Sequence, residues 1–445
     1  MFRGLRERSM VNSHERWKQL FGSFGGEKLF IIKRRFLPVI HILAVLASLF
    51  SLNSYAAPLP ESSPMPIANK EWQKILKESK EQTVYFNAWG GSQQINDYIR
   101  WAAKQVRQRY GIELKQVKVS DTADVVSRLL AEKQAGRDTR GTVDMIWING
   151  ENFRSMKNHG LLFGPFSNRL PNYRWIDPQE KPTTELDFGE PVEGLEAPWG
   201  MAQLVFIYDQ YSVQEPPKSA EDLMKFARKH PGRVTYPLPP DFVGTTFLKQ
   251  LLLELTDQDP ALFKPVDRAR FEKITASLWR YLDELHPLLW RKGETFPQNN
   301  LALTPLLDDG EIMLSMTFNP SYASSAIANG ELAESVRTYV NTAGTVGNTH
   351  FLAIPYNAHA KAAAQVVINF LMSPEAQLHK ADPNVWGDPT VLSMGKLNTV
   401  DKQRFNELPL GIATLSPEAL GKVLPEPHSS WSMALETEWQ KRYRQ

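Results

Sequence analysis

The chain of 445 residues has no cysteine. Disulfides, thiol nucleophiles, thiolate metal sites and a lipid anchor carried on cysteine are therefore excluded. Catalytic signatures are missing too. There is no G-x-x-x-x-G-K-[ST] phosphate loop, no G-x-G-x-x-G after a strand, no H-E-x-x-H and no G-x-S-x-G elbow. The nine histidines are scattered, with no pair at metal-ligating spacing. Gly90-Gly91-Ser92 has the small residues of a nucleophile turn without its pattern, and helix capping accounts for Ser92. The acidic pairs Asp308-Asp309 and Asp257/Asp259 sit in polar turns and read as solvated surface. Such a chain reads as a binder rather than an enzyme, with no cofactor and no metal.

Long apolar runs are almost as scarce. The exception is 36–58, FLPVIHILAVLASLFSLNSYAAP. Lys33, Arg34 and Arg35 precede an apolar run of about 17 residues, and Ser54-Tyr55-Ala56 follows it. This is the order of a secretory signal peptide, with the cut expected after Ala56. The alternative, a retained membrane anchor, is disfavoured by the shortness of the run. Met1–Ile32 fits neither reading, and the true start is expected near Leu29–Ile32 at a non-AUG codon.

Excess positive charge is also absent once this leader is set aside. Residues 1–56 carry nine of the 51 basic and three of the 49 acidic residues. That leaves 42 basic against 46 acidic, so a formal charge of +2 becomes −4 over 389 residues. No electrostatic footprint for nucleic acid remains. Export without an anchor points to the periplasm, and 389 residues suffice for two domains with full cores. Residues 57–69, with four prolines, read as a flexible mature N-terminus leading to a first helix before 83.

From Thr83 onward strands and helices alternate. Val84–Asn87 is an apolar run. Ser92 caps a helix with Ile95, Tyr98, Ile99, Ala102, Val106 and Tyr110 at helical spacing, ended by Gly111. Ile112–Val119 reads as a second strand, Asp121 as the cap of the next helix, and Val143–Ile148 as a strand buried on both faces. A short helix over Phe153 and Met156 closes at Gly160. This β-α-β-α-β-α order predicts a parallel sheet covered by helices. After an irregular stretch, 164–198, a second α/β unit is expected. Its parts are a strand at Gln203–Tyr208, a helix from Ser219, a strand around Val234–Tyr236, helices Gly244–Leu255 and Asp267–Leu285, a strand Ile312–Phe318 and a helix from Pro320. The chain returns through Phe351–Ile354 to a helix over Ala360–Met372.

Ligands of open parallel sheets bind at the carboxyl ends of strands. The loops to consider are Asn87–Ser92, Asn149–Asn152 and Asn319–Ser321, with Tyr236–Thr246 leading into another helix. Trp89 belongs to no apolar period, and its indole suits stacking on a planar or cationic ligand or packing under its own loop. Trp199 and Phe318 carry the same two readings. Asn87, Asn149, Asn152 and Asn319 could orient a ligand or simply build turns, with Gly90, Gly91 and Gly150 supplying backbone room and free N–H groups. Glu151 and Asp241 favour a cation, or serve the helix dipole. Thr245 and Thr246 could hold an anion or hydroxyl, or cap. Together these lean to a cationic or heteroaromatic solute, with a stacked sugar left open.

Three phrases resemble periplasmic solute-binding proteins of ABC importers, nearest the iron/thiamine/polyamine group. They are Val143–Asn152 (VDMIWINGEN), Ala197-Pro198-Trp199-Gly200 followed by Leu204–Tyr208, and Ser373-Pro374-Glu375-Ala376-Gln377. The resemblance spans Val84–Ser393. It implies an α/β, two-lobed Venus-flytrap fold of type II with hinge strands. Lobe 1 would take 83–200 with about 345–395, and lobe 2 about 201–344 with 396–445. It also implies a monomer that encloses a small solute, which the aromatic and carboxylate loops make thiamine- or polyamine-like, and that docks on a permease with its ATPase. Ferric-binding members carry adjacent tyrosines, and no Tyr-Tyr occurs here, so iron ranks low. An exported hydrolase or transferase on the same fold, using Glu151 or Asp241, is the competing expectation.

Overall fold

Helix caps and apolar periods in the sequence recur in the computed structural model, which describes residues 70–444. The signal peptide, its cut, the alternative start and the segment 57–69 lie outside the described residues. The order begins α1 (Lys70–Glu78), β1 (Thr83–Trp89), α2 (Gln93–Tyr110), β2 (Glu113–Val119), α3 (Thr122–Gln134), β3 (Met145–Ile148) and α4 (Gly150–Asn158). Ser92 caps α2, and Gly111 ends it at φ 69°, a conformation glycine takes without steric cost. Asp121 caps α3 through Ala123 N–H at 2.8 Å. A short hairpin follows, β4 (Leu186–Asp187) with β5 (Glu190–Pro191), then β6 (Glu196–Gln203).

The chain next runs through β7 (Val205–Asp209), α5 (Ala220–Lys229), α6 (Phe242–Leu255), α7 (Arg268–Leu285), α8 (Leu303–Asp308), β8 (Leu314–Thr317), α9 (Tyr322–Ala328) and β9 (Val336–Tyr339). It returns through β10 (Thr345–Ala353), α10 (Lys361–Leu371), α11 (Pro374–Ala381), α12 (Thr399–Asn406), α13 (Pro417–Leu420), β11 (Val423–Leu424) and α14 (Ser430–Tyr443).

Two sheets result. One has the order β11-β10-β3-β1-β2 with β6 on β10, and the other β8-β7-β9. Both faces of the larger sheet are covered. Val84, Phe86 and Ala88 pack with α2 and α10 on one face, while Ile146, Ile148 and Phe351 pack with α3 and α4 on the other. Each buried Leu or Phe contributes about 1.5–3 kcal/mol, so these two layers hold the sheet. The smaller sheet shares one core with α6, α7 and the C-terminal Trp431, Leu435 and Trp439. Only Leu204 separates β6 from β7, so the chain passes between the sheets there, and it passes back between β9 and β10.

The expected parallel sheet over the first three strands is present, antiparallel strands join it, and one expected strand needs correction. The larger sheet is parallel only across β2, β1 and β3, because β10 runs antiparallel to both β3 and β6. The smaller sheet is antiparallel throughout. Val234–Tyr236 joins neither sheet; its neighbours bond instead to loops, Trp290 N–H to Val234 O at 2.8 Å and Met313 N–H to Arg233 O at 2.8 Å.

Candidate functional site

The first turns of α4 and α6 supply most of the predicted residues that come together. Gly150 opens α4 at φ 60°. Its N–H donates to Asp187 Oδ2 at 2.7 Å, and the Phe188 ring lies so close that a β-carbon on Gly150 would stand 2.8 Å from it. On α6, Asp241 caps Val243 and Gly244 N–H at 3.0 and 3.1 Å. That places Phe242 on the first turn, edge-on to Phe318 with ring centres 5.1 Å apart and 6.5 Å from Phe188. Thr245 follows one turn on and donates to Glu436 Oε1 of α14 at 2.7 Å. Lys249 comes next on the same face of α6, since positions 242, 245, 246 and 249 align at helical spacing.

Lys249 is 1% exposed. Its ammonium lies 2.6 Å from Glu426 Oε2, 4.5 Å from the Phe188 ring centre and 5.7 Å from that of Phe242. Glu426 Oε1 accepts from Asn348 Nδ2 at 2.9 Å. One cation thus faces several acids. Burial pushes the half-buried Glu151 carboxyl up, Glu426 and Asp121 push it further, and Lys249 opposes them. Burial and Glu151 drive Glu436 up to about 7. Burial raises Asp241 to about 6, against the N–H bonds it accepts. Asp187 and Glu196, both buried, are pushed well above the carboxylate range chiefly by loss of hydration, Asp187 further by the charges of Glu151, Glu426 and Glu190, and Glu196 by that of Asp187. The cluster is short of positive charge, and an arriving cation would relieve it.

The other predicted residues are placed as follows. Asn149 sits at the cap of α4 without a side-chain cap bond, and Asn152 is half-buried in the first turn. Asn87 is 1% exposed on β1, and neither its amide oxygen nor its nitrogen has a hydrogen-bond partner among the described residues. Trp89 ends the same strand half-buried. Its ring lies over its own loop, so that a side chain on Gly91 would overlap it, and a β-carbon on Gly90 would stand 2.7 Å from Lys118. No hydrogen bond, ion pair or ring contact among the described residues joins Trp89 to the carboxylates. Trp199 is fully buried on the larger sheet among Phe86, Tyr98, Trp147, His350 and Trp386, where it packs. Thr246 spends its hydroxyl on Phe242 O at 2.7 Å. Asn319 closes its own turn by accepting from Ser321 N–H at 3.0 Å, and reaches Trp386 O at 3.4 Å.

Sequence reasoning missed Phe188, Phe242, Lys249, Glu426 and Glu436. One signal was readable: Lys249 is the one charged residue in 242–253, FVGTTFLKQLLL, an otherwise apolar helix. A buried lysine needs a partner. The partner, Glu426, lies too far along the chain for any local pattern to pair them. Among the described residues no group of three or more His, Asp or Glu could hold a metal, and no helix is long and apolar enough to cross a membrane.

Carboxylates and rings thus gather where α4, α6 and α14 meet, on an α/β fold that runs through two sheets. The chain belongs to the bacterial extracellular solute-binding proteins, whose family profile matches residues 101–393. Protein YnjB of Escherichia coli (strain K12) is 47% identical over 398 residues, covering 89% of this chain and 97% of YnjB. Solved structures share the fold at low identity. The periplasmic binding protein AfuA of Actinobacillus pleuropneumoniae, with fructose-6-phosphate bound, has a TM-score of 0.57 at 14% identity, over 82% of this chain and 99% of AfuA. The spermidine/putrescine substrate-binding protein PotD of Streptococcus pneumoniae has 0.55 at 18%, over 82% and 100%. The Tp0655 (TpPotD) lipoprotein of Treponema pallidum has 0.58 at 12%, over 81% and 99%. The fold is the two-lobed type II fold of periplasmic binding proteins.

Proposed function

We propose that this solute-binding protein captures a small organic cation between its lobes in the periplasm. The lobes take 83–200 with about 345–395 and about 201–344 with 396–445. The closed protein, acting as a monomer, then docks on an ABC permease whose ATPase drives uptake. The observation that carries the cation is the set of carboxyls Glu151, Asp241 and Glu436, each raised above the ordinary range chiefly by burial, with the Glu151 charge adding to the rise of Glu436, beside Phe188, Phe242 and Phe318. A positive charge would be stabilised there by the carboxylates and by the ring faces together. Neighbours on this fold include a protein with fructose-6-phosphate bound and one named for spermidine and putrescine, so the fold leaves the class open, and this chain's own acids favour a cation. Closure supplies the differential contacts that shift the open and closed populations.

Thermal stabilisation by amines, quaternary ammonium compounds, heteroaromatic cations, sugars and oxyanions tests the reading. A binder is stabilised by its ligand in proportion to RT ln(1 + [L]/Kd), and the compound is recovered unchanged. Stabilisation by cations is expected. Stabilisation by sugars or oxyanions alone, or conversion of the bound compound, would overturn the proposal.

A further inference from the structure

The Lys249 ammonium already occupies the chemistry that an organic cation would need. Lys249 reaches it from inside α6, buried, with Glu426 at 2.6 Å and two phenyl rings at 4.5 and 5.7 Å. Ring faces and a desolvated carboxylate are the elements of cationic-ligand recognition. Phe188 is fixed in place because Gly150 leaves its ring room, and its neighbour Asp187 is tied to the Gly150 N–H at 2.7 Å. Glu426 is held by Asn348 at 2.9 Å. The rest of the charge facing Lys249 comes from Glu151 on α4 and Glu436 on α14. No second cation is recorded in contact with these rings among the described residues.

We infer that Lys249 is a tethered internal cation that competes with the solute for the cage of Phe188, Phe242 and Glu426. This rests on the cationic reading of the solute and adds a residue that sets affinity and selectivity. A solute whose cation out-competes one flexible ammonium, through more ring contact or a second charge held by Glu151 or Glu436, displaces it. A weakly interacting monocation such as ammonium does not. The cage is therefore kept filled until the right ligand arrives, and small abundant cations are turned away.

The test is calorimetric titration of tetramethylammonium into the full chain, wild type and K249M, at one pH. Methionine keeps the length and the apolar stem and removes the charge. At least tenfold tighter binding by K249M is expected. Equal or weaker binding, or no binding to K249M, overturns the inference. K249M leaves Glu426 without its partner, so K249M/E426Q is measured alongside. It removes both charges and keeps the rings, and should bind more tightly than wild type but less tightly than K249M. If K249M does not fold, the double variant decides alone, and no gain over wild type overturns the inference. The underlying cation reading fails by a different result: an anionic compound that stabilises wild type and loses its effect in K249M would make Lys249 the solute's own anchor.

Discussion

Replacing Gly150 by alanine perturbs the site through one atom. Gly150 holds φ at 60°, and an L-residue there costs about 1–2 kcal/mol. The new β-carbon would also lie 2.8 Å from two carbons of the Phe188 ring, so the ring must shift, and overpacking of this kind costs about 1–3 kcal/mol. Gly136 separates the two effects. Its φ is 69°, and nothing lies within 4 Å of where its β-carbon would be, so Gly136→Ala carries the backbone cost alone. The difference between the variants, about 1–3 kcal/mol, belongs to the ring. Urea unfolding should give a lower midpoint for Gly150→Ala than for Gly136→Ala at unchanged slope. Because Phe188 stands over the Lys249 cage, affinity for the solute should fall up to about thirtyfold, the worth of a displaced cation–π contact of about 2 kcal/mol. Gly136→Ala should leave affinity untouched. Equal midpoints and equal affinities for the two variants would refute the placement of Phe188 over Gly150.

Other substitutions probe other parts. A side chain on Gly200 would overlap the His350 imidazole and the Asp388 carboxylate, which Lys380 also bonds, so Gly200→Ala should destabilise by about 1–3 kcal/mol in thermal unfolding. Asn87→Leu removes a buried amide that has no partner and should stabilise the ligand-free protein by about 1 kcal/mol. Unchanged solute affinity in that variant would remove Asn87 from the site. Glu436 and Asp241 hold protons up to about 7 and about 6, above their values in the unfolded chain. The folded state binds these protons more tightly, so ligand-free stability should fall as pH rises from the ordinary carboxylate range through about 7, then level off. Cation affinity should rise over the same window, because binding favours the ionised form. Calorimetry in buffers of different ionisation enthalpy should show proton release at pH 6, and Glu436→Gln should remove the upper part of the rise.

Local signals were legible wherever the physics was local. The caps Ser92, Asp121, Ser219 and Asp267 stand where the sequence places them. Strand β6 escaped notice because Pro198 and Gly200 break its apolar pattern; its extended shape comes from pairing with β10, Gln203 opposite Gly347 through Glu196 opposite Ala353. Only the end of β10 was read as strand. Asn348, Thr349 and His350 look like loop residues, and are buried because Glu426, Thr183 and Asp388 meet their polar atoms from distant segments. The same distance hid half of the proposed site. Gly150, Glu151 and Asp241 follow from the rule that ligands gather at strand ends and helix starts, whereas Phe188, Glu426 and Glu436 reach the cluster from a hairpin and a C-terminal segment that no period announces. Aromatic residues are ambiguous for a related reason: a tryptophan beside a glycine looks the same in sequence whether it faces a solute or packs, as Trp199 does.

The structure of the chain bound to the compound that stabilises it most bears directly on the central proposal. The cationic centre should lie between the two sheets, within about 6 Å of the Phe188 or Phe242 ring centre, and bonded to Glu151, Glu426 or Glu436. An uncharged or anionic solute in that place, or a cation bound elsewhere on the molecule, would contradict it.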